Sequence, residues 1–310
     1  MKTHFKLVGL LVVFGIIAST TRADDVKPLK GLLITGGGYH DYENQKKILT
    51  EGISDRTNIE WTVVLENPKP GELPKVYQNQ DWIKGYDVIV HNECFAKYDD
   101  VEGIERIVKS HLDHGVGVVM IHCAMHTFRD GKTKEWDKLV GVESRRHGAH
   151  FPITVRNIGR DHPIMKNAPA TWTTPKGELY HTSIISSGTE LGVGFKGGEE
   201  AKTKQTCIWV NEYGKCRTFG TTLGHHNETM QEKVYLDMVA RGLLWSCRKL
   251  DDQGKPTKGY GKTASVKRST KFHVLLADGR SLRFKNAEQL RAAGLNFSAT
   301  LCCGRGNDLE

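Results

Sequence analysis

Residues 101–126 read VEGIERIVKSHLDHGVGVVMIHCAMH, and they decide the fold. Val101, Ile104, Ile107, Val108 and Leu112 recur at the spacing of one helical face, which predicts a helix to His114. Gly115 follows, where a helix commonly ends. Val116 to Ile121 (VGVVMI) is then apolar without alternation, as expected of a strand covered on both faces. The strand runs directly into His122, Cys123 and His126. A buried strand with ionisable residues at its carboxyl end is the mark of an α/β sheet whose site lies along one edge.

The same grammar recurs upstream. Residues 30–35 (KGLLIT) form a strand that opens into GGGYHDY, bringing His40 and Asp41. Tyr42 to Ile53 has helical character, and Ile59 to Leu65 (IEWTVVL) is β-branched and aromatic, hence strand. Residues 67–80 carry three prolines and read as loop. Tyr86 to Val90 (YDVIV) is a strand followed by His91, Asn92 and Glu93. Strand, helix, strand, repeated, predicts a doubly wound, mostly parallel sheet with helices on both faces.

Downstream of residue 150 the strands are shorter: 151–155, 178–185, 191–195, 206–210 and 215–221. A turn over 211–214 joins the last two, and Glu228 to Cys247 reads as one long amphipathic helix. These elements are expected to extend the same sheet and cover its active edge. Residues 249–271, rich in Lys, Gly, Thr and Ser without a period, read as a basic flexible linker after a domain that spans 24–248. The tail, 272–310, reads as a hairpin around Asp278-Gly279 with a short helix over 286–295.

Lys2, His4 and Lys6, the apolar run Leu7 to Ala18, and the small residues around Arg22 predict a signal peptide cleaved after Ala23. The run is shorter than the roughly 20 residues that span a bilayer. A periplasmic or secreted chain with no membrane association after cleavage is expected. The formal net charge of +8 does not imply a nucleic-acid partner. Its basic excess sits in the leader and in 248–271, while 24–247 are slightly acidic, and a phosphate-tracking face needs clustered cations on the fold itself. The seven cysteines are odd in number and fit no CxxC metal site, so most are read as core residues.

The candidate site follows from strand ends. His40, Glu93, His122 and His225 each come shortly after a strand, and Glu178 lies in GELYH. These five are the candidate catalytic acids and bases, since imidazole titrates near neutrality and carboxylates can partner it. Asn92, His126, His150, Trp172, Tyr180 and His181 are candidate binding residues, with Trp172 and Tyr180 as platforms for a sugar ring. On a helix His122 and His126 would share a face, and with His225 they are candidate ligands for a divalent metal such as zinc. His111, His114 and His162 are read as structural or solvated. Cys123 stands where a nucleophile elbow would be, but no GxSxG or GxCxG surrounds it.

Taken together, LLITGGGYHDY (32–42), YDVIVHNE (86–93), GVGVVMIHCAMHTF (115–128), RHGAH (146–150), DHPI (161–164), ELYH (178–181) and TTLGHHNETM (221–230) resemble the trehalose-utilisation (ThuA-like) family over roughly residues 30–247. The resemblance implies the flavodoxin-like fold of class I glutamine amidotransferases without their nucleophile, because HCAMH replaces the cysteine elbow. It also implies a role in the use of trehalose, sucrose or their 3-keto derivatives, with a small-molecule carbohydrate as partner. Two functions stay open at this point. One is a hydrolase, lyase or isomerase acting on such a compound. The other is a non-catalytic sugar-binding or scaffold protein using the same crevice.

Overall fold

The structure is a computed structural model describing residues 26–185 and 187–262, together with the backbone of two strands further on. The expected signal peptide, the helix over 286–295 and the hairpin turn at 278–279 lie outside the described residues.

The first half folds as its patterning predicts. It comprises β1 (Leu29–Gly36), α1 (Tyr42–Ser54), β2 (Ile59–Glu66), β3 (Val88–Glu93), α2 (Val101–His114) and β4 (Gly117–Ile121). Every residue of β3 and β4 is buried. Alternation along each strand explains why both faces are apolar. Val90, Val119 and Ile121 pack with α1 on one side, while Ile89, Val118 and Met120 pack under α2 on the other. α2 stops where Gly115 takes the left-handed conformation and its N–H bonds His111 O.

The second half comprises α3 (Glu135–Val140), β5 (Val142–His150), β6 (Ile153–Asn157), β7 (Thr171–Thr173), β8 (Glu178–Ile184), β9 (Thr189–Lys196), α4 (Glu200–Thr203), β10 (Gln205–Tyr213), β11 (Cys216–Thr221), α5 (Asn227–Met230) and α6 (Lys233–Ser246). The main sheet runs β2-β1-β3-β4-β11-β10-β9-β6-β7. Its first five strands are parallel, in the flavodoxin order with β11 as the fifth. The remaining four extend it antiparallel.

Three sequence expectations are corrected. First, β5 and β8 do not join the main sheet but pair with each other as a two-stranded ribbon. Thr182 ties the ribbon to β10 through Gln205 Oε1 (2.8 Å) and Thr206 O (3.0 Å). Second, the expected helix from 228 is two helices, because Glu232 is extended between α5 and α6. Third, the chain from Lys249 is not a linker at its start. Leu250 and Tyr260 pack against the core, Asn58 N–H bonds Tyr260 O (3.1 Å), and Lys249 Nζ sits 4.7 Å over the Tyr260 ring. Averaged composition hid two apolar anchors among polar neighbours. The compact unit therefore ends at Gly261, not at 248. In the second unit β12 (Phe272–Leu275) and β13 (Ser281–Phe284) pair antiparallel, as the hairpin reading expects. Among the described residues no helix is long and apolar enough to cross a membrane.

Candidate active site at the carboxyl edge

Three parallel strands deliver a histidine each to one point. After β1, Gly36 and Gly37 take φ of +128° and +99°. A Cβ on Gly36 would meet Glu66 O at 1.8 Å, and one on Gly37 would meet Cys94 O at 2.3 Å, so only glycine lets this turn press between its neighbours. The turn sets His40 over the edge. After β4, His122 itself takes a left-handed φ of +47°. Strain of this kind at a strand end is what a nucleophile elbow uses, and here the strained residue is an imidazole. Cys123, next in line, is buried with its Sγ 2.6 Å from Cys94 Sγ. After β11, the loop with His225 is held by Gln45, which donates to the carbonyls of Gly224 (3.2 Å) and His225 (3.3 Å).

The ribbon supplies the counter-charge. Glu178 on β8 is only 5% exposed, yet it meets four imidazoles. Its Oε1 lies 2.9 Å from His150 Nε2 and 3.0 Å from His147 Nδ1. Its Oε2 lies 3.2 Å from His225 Nδ1 and 3.3 Å from His122 Nε2. Burial alone would raise its pKa, but hydrogen bonds from His122 and His225 outweigh that and hold it well below the usual carboxylate range. Glu178 is ionised at neutral pH. His122 Nδ1 faces Thr222 O at 2.6 Å, so that nitrogen carries a proton and Nε2 is the one turned to Glu178. The Tyr180 hydroxyl lies 3.1 Å from Nε2. His40 packs its ring 4.9 Å from that of His122 and 4.7 Å from that of His225. Both its nitrogens are buried and meet no nitrogen or oxygen partner, the Cys123 thiol being the polar group beside the ring, and burial lowers its pKa, keeping it neutral. Beside these groups opens a cleft of about 370 Å³, lined by Gly38, Tyr39, His40, Asp41, His225 and His226 among others.

Of the sequence-derived residues, His40, His122, His150, Glu178, Tyr180 and His225 meet here. The others do not. His126 was expected to share a metal with His122, but residues 122–126 form a 3₁₀ turn. At three residues per turn, side chains four apart diverge by about 120°. His126 instead bonds Ser144 Oγ (2.8 Å) and stacks flat on Tyr180 at 4.2 Å. Glu93 points to the opposite face of the sheet, fully buried against His91 Nδ1 (2.8 Å) and the Tyr77 hydroxyl (3.4 Å). Asn92 donates to Gln45 Oε1 (3.2 Å) and so braces the His225 loop rather than a ligand. Trp172 lies on β7, the far edge of the sheet, packed against core residues. His181 alternates with Tyr180 and is exposed opposite Arg146. Tyr180 is buried with its ring stacked on His126 and so is no platform for a sugar.

Two residues given no role from the sequence matter: His147, a candidate there only through RHGAH, and Tyr39. His147 reaches Glu178 together with His150, although simple strand alternation puts residues three apart on opposite faces. A register shift between His147 and His150 brings both to the same carboxylate. Tyr39, 54% exposed, stands at the cleft mouth. Its place in GGGYHDY, beside His40, was the available signal.

A 2-1-3-4-5 parallel sheet with a strained residue ending its fourth strand is the glutamine-amidotransferase class of flavodoxin-like fold, here with a histidine in place of the nucleophile. The trehalose-utilisation (ThuA) family profile matches residues 31–246, and the chain belongs to that family. Among solved structures it is similar to a ThuA-like protein from Parabacteroides merdae ATCC 43184, with 20% identity, TM-score 0.61, and coverage of 76% of this chain and 97% of that one. It is also similar to a ThuA-like protein from Bacteroides uniformis ATCC 8492, with 15% identity, TM-score 0.56, and coverage of 74% and 96%. A cytoplasmic protein from Salmonella typhimurium LT2 shares the fold at 13% identity and TM-score 0.52, covering 70% of this chain and 99% of that one. No curated protein matches.

Proposed function

We propose that the chain is an enzyme of carbohydrate utilisation that moves protons on a sugar derivative, with a 3-keto-glycoside as the substrate class. The observation that carries this reading is a His40 kept neutral by burial, with no nitrogen or oxygen partner, beside an ionised, buried Glu178 at one cleft. A proton on the carbon next to a ketone is acidic enough for an imidazole base. His40 takes that proton. The charge that develops on the ketone oxygen is met at the imidazole of His225, which Glu178 holds in place through Nδ1. Reprotonation of that carbon on its opposite face gives an epimer, and expulsion of the glycosidic oxygen, which takes up the proton His40 removed, gives an unsaturated ketone and a free alcohol. Tyr39 at the mouth offers a ring for a pyranose face. A site built for binding alone needs neutral donors, and burying a carboxylate among imidazoles is costly unless the charge is used.

The same proposal places the activity in the periplasm or outside the cell, on the strength of residues 1–23. The test uses protein recovered from periplasm and medium, with an N-terminus expected at Asp24. It is incubated with 3-keto-glycosides in D₂O and followed by NMR. Deuterium beside the ketone or loss of the glycosidic bond is expected. His40→Asn and Glu178→Gln should each slow the reaction roughly 10²–10⁴-fold. Saturable sugar binding without turnover, unchanged in both variants, would instead make the chain a sugar-binding protein.

A further inference from the structure

We infer that His122, His225 and Glu178 form a binding site for a divalent transition-metal ion of the zinc class, with His40 bordering its open side. This rests on the same site as the proposed function but not on any reaction.

His122 Nε2, His225 Nδ1 and Glu178 Oε2 form a triangle with sides of 3.3, 3.2 and 3.3 Å. Zinc bonds nitrogen and carboxylate oxygen at about 2.0–2.2 Å in a tetrahedron, and the edge of such a tetrahedron is about 3.3–3.5 Å. The three atoms are therefore spaced as three corners around one ion. Their chemistry agrees. Thr222 O occupies Nδ1 of His122, which leaves Nε2 as its metal-binding nitrogen, and a carboxylate oxygen of Glu178 faces it. Two imidazoles and a carboxylate are the mixed donor set that suits zinc and its neighbours.

The surrounding contacts are those that fix metal ligands. The Thr222 carbonyl sets the tautomer and ring plane of His122. His147 and His150 hold the second oxygen of Glu178, leaving Oε2 to face the triangle. An independent observation comes from His40. Its ring nitrogens are buried and meet no nitrogen or oxygen partner, and one of them lies within 4.8 Å of ligand atoms of both His122 and His225. An ion-bound water in the fourth corner would give His40 the oxygen partner it lacks. With three protein ligands and one open corner, the site has the form of a catalytic rather than a structural centre.

His150, His225 and His226 make a second group within 4.8 Å. They are more exposed, whereas the first group contains the buried His122, and its His122 and His225 stand at near-equal distances from each other and from a single carboxylate oxygen of Glu178.

The experiment strips the full chain with chelator and titrates it with Zn²⁺ against a chromophoric competitor, then with Co²⁺ by visible absorption. One ion per chain and the intense bands of four-coordinate Co²⁺ are expected. Glu178→Gln and His225→Ala should weaken Zn²⁺ binding at least 100-fold and abolish those bands. His226→Ala should leave both unchanged. Circular dichroism of each variant, and the melting-temperature rise that Zn²⁺ gives the parent but not the two ligand variants, separates lost ligation from lost folding. No saturable binding would overturn the proposal, as would binding that survives Glu178→Gln and His225→Ala, or binding that depends on His226 instead. Because no sugar enters the measurement, its failure is distinct from failure of the proposed reaction.

Discussion

At the scale of single residues, the most consequential polar group outside the site is the buried chain Glu93–His91–His111. His111 Nδ1 donates to Ile107 O (2.9 Å), so His111 Nε2 accepts from His91 Nε2–H (3.1 Å). That leaves His91 Nδ1 as an acceptor, and the partner facing it, Glu93 Oε1, must supply the proton. Burial accordingly raises the Glu93 pKa well above its usual range and pushes both histidines down to about 3. Below pH 6.5, the ordinary histidine value, the unfolded chain binds protons that folded His91 and His111 refuse, so their contribution is lost as pH falls. Above pH 4.5, unfolded Glu93 releases a proton that the folded state keeps, so its contribution is lost as pH rises. Glu93→Gln keeps a donor to His91 without a titrating proton. Urea unfolding from pH 5 to 9 should show the alkaline decline of the parent flattened in the variant, by up to about 1.4 kcal/mol per pH unit. Equal slopes in the two proteins would show that Glu93 is ionised in the fold.

Among the elements, the turn after β1 is the most constrained. Gly37 and Gly38 both have positive φ, but a Cβ on Gly38 meets nothing within 4 Å. Gly38→Ala should therefore cost only the conformational strain, roughly 1 kcal/mol. Gly37→Ala adds a collision with the Cys94 carbonyl and should cost about 3 kcal/mol or more. Denaturant midpoints of the two variants check this, and equal losses would mean that the turn relaxes away from Cys94. Elements were also where sequence reading divided. Continuous apolar runs in β3 and β4 were legible because burial on both faces leaves no other composition. The β5–β8 ribbon was not, because which strands pair depends on partners far along the chain. His147 and His150 reach one carboxylate only through an irregular register, which no local periodicity encodes.

At the scale of the whole molecule, the boundary of the folded body is the prediction at issue. The comparison is between a chain ended after Lys262 and one ended after Arg248, which loses Leu250, Tyr260 and the bonds to Asn58. Two half-buried apolar side chains contribute about 2–3 kcal/mol, so its melting point should fall by roughly 4–12 °C. An unchanged melting point would return 249–261 to the status of a linker.

By itself the sequence determined the parallel half of the sheet, the helices on its faces, and the edge along which His40, His122 and His225 follow their strands. Those features are local: periodicity reports burial, and the residue after a buried strand must emerge at its end. Only the tertiary structure decided which polar groups share a point. It turned Glu93 to the other face, sent His126 to Ser144 through a tight turn, and carried Glu178 from a separate ribbon into the ring of imidazoles. Contact across the fold depends on strand pairing and side-chain direction summed over distant segments, and the order of residues along the chain does not specify that sum.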